Sequence, residues 1–132
     1  MTNTHPKEAL DPEDDDGTMP QNVEALEAAV IGHRIVTAEK GDREFVIVLD
    51  SGRRVTLVDF DDCCAYTELQ AFLLHPDLVD HAITGISTEG GYTVWHVFAD
   101  MGNVLDLTVG WSAGNPFYYG YGFDVRVQEV TE

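Results

Sequence analysis

The stretch "DFDDCCAYTEL", Asp59 to Leu69, sets adjacent cysteines Cys63 and Cys64 behind the carboxylates of Asp59, Asp61 and Asp62. Thiolates and carboxylates both hold metal ions, and paired thiols can also do redox chemistry. The spacing argues against each. Zinc sites use spacings such as C-x-x-C, so that two side chains converge on one ion. Neighbouring strand residues point to opposite faces, so Cys63 and Cys64 diverge. A vicinal disulfide needs a distorted backbone and is disfavoured in a reducing cytosol. Free cysteines are among the residues most often buried. Asp61, Asp62, Cys63 and Cys64 therefore read as a structural corner, with at least one thiol facing inward.

A second set is "HPDLVDHA", with His75, Asp77, Asp80 and His81. Imidazole and carboxylate together can hold a divalent ion. The spacing matches no ligand signature, and proline with aspartate is ordinary loop chemistry. His75 and His81 could form a metal site with Cys63 and Cys64 only if the two loops converged. In "WHVFAD", His96 and Asp100 fall on one strand face with Phe98 between them, which reads as a satisfied strand histidine.

The third set is "GWSAGNPFYYGYGFDV", where Trp111, Phe117, Tyr118, Tyr119, Tyr121 and Phe123 alternate with glycines. Such a segment either joins the core or, where exposed, makes a flat contact surface for a protein or a base. Arg34, Arg43, Arg53, Arg54 and Arg126 are the side chains that could bind an anion. No G-x-S-x-G, P-loop, H-E-x-x-H or dinucleotide fingerprint is present, so no catalytic residue and no cofactor is expected.

The charge is uneven. Seven Lys and Arg face 24 Asp and Glu, a net charge of −17, and no Lys or Arg lies between Val55 and Val125. Phosphate backbones are gripped by Lys and Arg, so direct nucleic-acid binding is not expected. An acidic field keeps the chain in solution and steers it toward basic partners. The chain has no apolar run long enough to span a membrane. Its polar, acidic start does not resemble a signal peptide, which points to an intracellular protein.

The elements that must position these residues follow from turn chemistry and periodicity. Residues 1–19 read as an acidic, flexible tail, and 20–132 as a single β-rich domain. "PQNVEALEAAVIGH" predicts a short helix with Asn22 as N-cap, Val23, Leu26 and Val30 on one face, and Gly32 as its stop. A meander follows at His33–Ala38, Glu44–Leu49 and Arg53–Asp59, divided by "EKGDR" and "DSG". At least one arginine of Arg53–Arg54 can pair with carboxylates across that hairpin. "YTELQAFLLHPDL" predicts a second short helix capped by Thr67 and limited by Pro76. Strands are then expected at Ala82–Thr88, Tyr92–Ala99, Val104–Val109 and Phe117–Val127. The fold class is mainly β (α+β), with about seven mostly antiparallel strands as a small sandwich or partly closed barrel and one or two short helices.

The segments "VIGHRIV", "FVIVLDSGRRVTL", "DDCCAY" and "ITGIS…YTVWHVFAD" together resemble a family of small actinobacteriophage proteins of unknown function with an Asp-Cys-Cys-Ala core. The resemblance covers about Val23 to Val127, and Asp62, Cys63, Cys64 and Ala65 match the motif. It implies a gene product acting in the cytoplasm of an infected bacterium, and it carries no catalytic residue. The reading is a non-enzymatic acidic binding module that engages a host or viral protein with a basic surface. The alternatives are a nucleotide-type small-molecule binder acting against host defence and a metal-dependent enzyme. Unpaired sheet edges also allow a homo-oligomer.

Overall fold

A computed structural model of the chain describes residues 18–61, 66–112 and 122–129. Among the described residues strands dominate, in two antiparallel sheets, one of them a half-barrel, with one α-helix and one 3-10 turn. The expected class is what is found.

The helix, α1, spans Thr18–Val30. Met19, Val23, Leu26 and Val30 are buried along one stripe, as helical spacing requires. Met19, the last residue of the segment read as a tail, belongs to the core. Asn22 is not the N-cap. It lies inside the helix, turned toward the core, where it holds the backbone of Phe123. Gly32 ends the helical segment at φ 83°, a left-handed conformation that glycine takes without a Cβ clash.

Four strands form the first sheet in the order β1-β2-β3-β9: β1 Ile35–Lys40, β2 Glu44–Leu49, β3 Arg54–Val58 and β9 Asp124–Gln128. Phe45, Ile47 and Leu49 on β2 and Val55 and Leu57 on β3 point inward, the period-two pattern of a sheet with one wet face. The second sheet runs β4-β5-β8-β7-β6: β4 Phe60–Asp61, β5 Tyr66–Leu74, β6 Ile83–Glu89, β7 Val94–Ala99 and β8 Gly102–Ser112. Trp95, Val97, Leu105, Leu107 and Val109 fill its inner face. Phe45 of one sheet meets Phe72 of the other with ring centroids 4.9 Å apart. Trp95 meets Phe123 edge-on at 5.6 Å.

The strand count rises from seven to nine through β4 and β5. The segment expected as a second helix is the strand β5, paired with β8 along its length. Its register shifts between Leu69 and Ala71. That extra residue sets Leu69 and Phe72 three apart, which imitates a helical spacing. Thr67 is a fully buried strand residue rather than a cap. Only Pro76–Leu78 is helical there, as a single 3-10 turn. Of the expected last strand, the described part is Asp124–Gln128, and 113–121 lie outside the described residues.

The outer strand β6 is not left open. Glu27 of α1 accepts a hydrogen bond from Ile86 N at 2.9 Å. Gly32 N donates to Ile83 O, and Ile83 N donates to His33 O, both at 2.8 Å. The helix and the residues leading to β1 thus satisfy groups that an edge strand would expose.

Candidate functional site: a histidine–carboxylate row on the five-stranded sheet

Inner and outer residues alternate along β6, β7 and β8, so polar residues set between core residues must face out. His96 lies between buried Trp95 and Val97, and Asp106 between buried Leu105 and Leu107. The register sets His96 opposite Asp106, Ser87 opposite His96 and Leu73 opposite Asp106. Glu89 and His75 reach the same row from the ends of β6 and β5.

The row is continuous. His75 Nε2 lies 2.8 Å from Asp106 Oδ2, and His96 Nδ1 lies 2.6 Å from Asp106 Oδ1. Asn103 Nδ2 donates to Asp106 Oδ1 at 2.7 Å. The other nitrogen of His96, Nε2, bonds the Glu89 carboxylate. With both carboxylates ionised, both ring nitrogens of His96 must carry a proton, so the ring is an imidazolium.

The electrostatics agree with that proton count. Burial works against charge on His96 more than any other single influence does. The hydrogen bonds to Asp106 and Glu89 and the charges of those two carboxylates together outweigh it and raise the His96 pKa above the ordinary value. Burial likewise favours a neutral Asp106, and the bonds from His75, His96 and Asn103 together with the charge of His96 outweigh that and lower its pKa. A carboxylate holding an imidazole by one nitrogen is the orienting half of a base–nucleophile arrangement.

The remaining sequence candidates are dispersed. His75 bonds Asp106, whereas His81 bonds Asp100 at 2.8 Å, so the two histidines serve different carboxylates. Among the described residues no three His, Cys, Asp or Glu side chains converge as a metal site. Asp62, Cys63 and Cys64 lie outside the described residues. Asp61 and Tyr66, which flank that segment, pair at the opposite end of β5 from His75.

Of the aromatic set, Trp111 is half-buried against the core and donates from Nε1 to Gly91 O at 2.8 Å. Phe117, Tyr118, Tyr119 and Tyr121 lie outside the described residues.

The five arginines do not gather around one anion position. Arg34 binds Asp80 O and faces Asp50, Arg43 pairs with Asp61, and Arg126 pairs with Asp124. Arg53 takes Glu129, beside β9, rather than a carboxylate across the β2–β3 hairpin, and it also donates to Ala29 O at 2.8 Å. Arg43 and Arg53 sit at opposite ends of β2. Only Arg54 and Arg126 share ground, as diagonal neighbours on the outer face of β3 and β9.

Charge is segregated by sheet. All six described Lys and Arg residues lie on the four-stranded sheet or its connections: Arg34, Lys40, Arg43, Arg53, Arg54 and Arg126. The strands β4 to β8 and the loops between them carry none among the described residues. They do carry Asp61, Glu68, Asp77, Asp80, Glu89, Asp100 and Asp106. On the outer face of that sheet Leu73, 58% exposed, sits beside the row. The sequence showed the cation-free span but not the row, whose members come from four segments with no local spacing in common.

A family model for a domain of unknown function, DUF7448, matches residues 28–125. The chain belongs to the DUF7448 family. The match runs from the end of α1 into β9, and so takes in both sheets and the whole row. No curated protein and no solved structure matches this DUF7448 chain. Among the described residues no helix is long and apolar enough to cross a membrane.

Proposed function

We propose that this DUF7448 chain is a non-enzymatic acidic binding module that offers the outer face of its five-stranded sheet to a cationic segment of a protein partner. The observation that carries the reading is the segregation of charge: every described Lys and Arg belongs to the other sheet. A face on which carboxylates prevail and Lys and Arg are absent among the described residues steers a cationic partner and rejects phosphate backbones. Exposed Leu73, opposite Asp106, supplies an apolar contact within that field. The resemblance to actinobacteriophage proteins supplies the setting, a host or viral protein in the cytoplasm of an infected bacterium. The nucleotide-binder reading has less support, because Arg34, Arg43, Arg53 and Arg126 are each engaged by the protein's own carboxylates.

The test is affinity capture from bacterial lysate at low salt, with the wild type beside a Glu68→Gln/Leu73→Ala variant altered only on that exposed face. A partner held by the wild type, released by salt and lost from the variant supports the reading. No capture at high protein concentration, or a partner held equally by the variant, overturns it.

A further inference from the structure

The turn between β6 and β7 is strained and firmly held. Gly90, Gly91 and Tyr92 follow one another at φ 67°, 69° and 62°. Tyr92 is the one non-glycine residue at positive φ among the described residues, and its side chain is buried. Backbone of this kind persists only where its surroundings over-determine it. Both tryptophans of the chain supply that hold. Trp95 Nε1 donates to Tyr92 O at 2.9 Å, and Trp111 Nε1 donates to Gly91 O at 2.8 Å. Thr93 Oγ1 donates to Gly90 O at 2.6 Å.

Glu89 leads into this turn. His96 is the side-chain donor that the structure gives its carboxylate, and the other nitrogen of the same ring is fixed on Asp106. One imidazole therefore ties the start of the turn, on the outer strand β6, to β8. The tie needs two N–H groups on one ring. A neutral imidazole has one N–H and one lone pair, so it must present that lone pair to a carboxylate. Asp106 keeps donors from His75 and Asn103 when this happens. The loss therefore falls on Glu89.

We infer that the Glu89–His96–Asp106 tie is a proton-operated latch on the β6–β7 turn, closed while His96 carries both ring protons and released when it gives one up. The charged and titratable groups facing His96 are Glu89 from β6, Asp106 from β8 and, through Asp106, His75 from the end of β5. Asn103 on β8 is neutral, and Phe98, on β7 with His96, lies 6.2 Å away from it, ring to ring. With no Lys or Arg among the described residues of that sheet, the two carboxylates set the balance, and the latch stays closed beyond the pH at which an ordinary histidine discharges.

The two indoles bind the turn itself, so they report on it. The experiment follows the Trp95 and Trp111 indole N–H resonances and the His96 ring by NMR from about pH 5.5 to about pH 9, which brackets ordinary histidine titration. Both indole signals are expected to move with the His96 midpoint, above about 6.5. In Glu89→Gln, where the charge is removed but an acceptor stays, the midpoint falls by about half a pH unit or more. In His96→Gln the shared transition is absent. Indole signals that stay flat while His96 titrates, or that keep the transition in His96→Gln, overturn the latch. Should His96→Gln fail to fold, Glu89→Gln decides alone, and an unchanged midpoint there overturns it.

Discussion

Asn22 and Phe123, 101 residues apart in sequence, hold each other by two hydrogen bonds: Asn22 Nδ2 donates to Phe123 O at 2.9 Å, and Phe123 N donates to Asn22 Oδ1 at 2.8 Å. The carboxamide thus satisfies both backbone groups of a residue just before β9 and fastens α1 to the four-stranded sheet. Replacing it by alanine leaves a buried N–H and a buried C=O without partners. Asn22→Ala is expected to cost roughly 2–4 kcal/mol. The check is urea unfolding; an unchanged midpoint would show that the bonds hold nothing together.

The row predicts how stability follows pH. His96 has a folded pKa above its unfolded value. Its contribution is complete below about 6.5 and is lost as pH rises through the folded pKa. Asp106 has a folded pKa below its unfolded value. Its contribution is complete above about 3.9 and is lost as pH falls through the folded pKa. The two overlap fully between about pH 4 and about pH 6.5. The stability gap between wild type and Asp106→Asn should therefore be widest there, at roughly 1–2 kcal/mol given partial exposure. Thermal unfolding across pH measures it, and a gap independent of pH would contradict the charged row.

Gly32 permits a test of backbone conformation alone. It holds φ 83°, and a Cβ added there meets nothing within 4 Å. Gly32→Ala should then cost about 1 kcal/mol through conformation rather than crowding. A larger loss, read from the same unfolding curves, would point to a packing role that the open space does not suggest.

Glu27 satisfies the backbone of an outer strand through its bond from Ile86 N. Glu27→Ala should speed amide exchange at Ile86 while leaving Val97, inside the same sheet, slow. Equal protection of Ile86 in both proteins would mean that the helix does not guard this strand.

The β2–β3 hairpin was legible because its turn is short and its inward residues alternate without interruption, as in Phe45, Ile47 and Leu49. β5 was not, because the irregularity between Leu69 and Ala71 shifts the phase halfway along the strand and leaves a helix-like spacing. Asn22 resembles a cap in sequence, since its type and the acidic residues after it suit a helix start. Its real partner lies in a segment that no local pattern connects to it. The row was hidden for a related reason. His96 and Asp106 can each be placed on an outer face by their buried neighbours. Their opposition, however, depends on a register shift between Val97 and Phe98. His75 and Glu89 join from other segments. The lack of Lys and Arg between Val55 and Val125 could be read directly, and the fold gathers the middle of that stretch, β4 to β8, into one sheet.

The most direct measurement of the binding-module reading is an NMR map of the captured partner on this chain. The Leu73 and Thr108 methyl groups and the His96 ring, all on the outer face of the five-stranded sheet, should shift or broaden on complex formation, and should recover as salt is raised. Perturbation confined to the opposite sheet, around Arg54, Thr56 and Arg126, would contradict it.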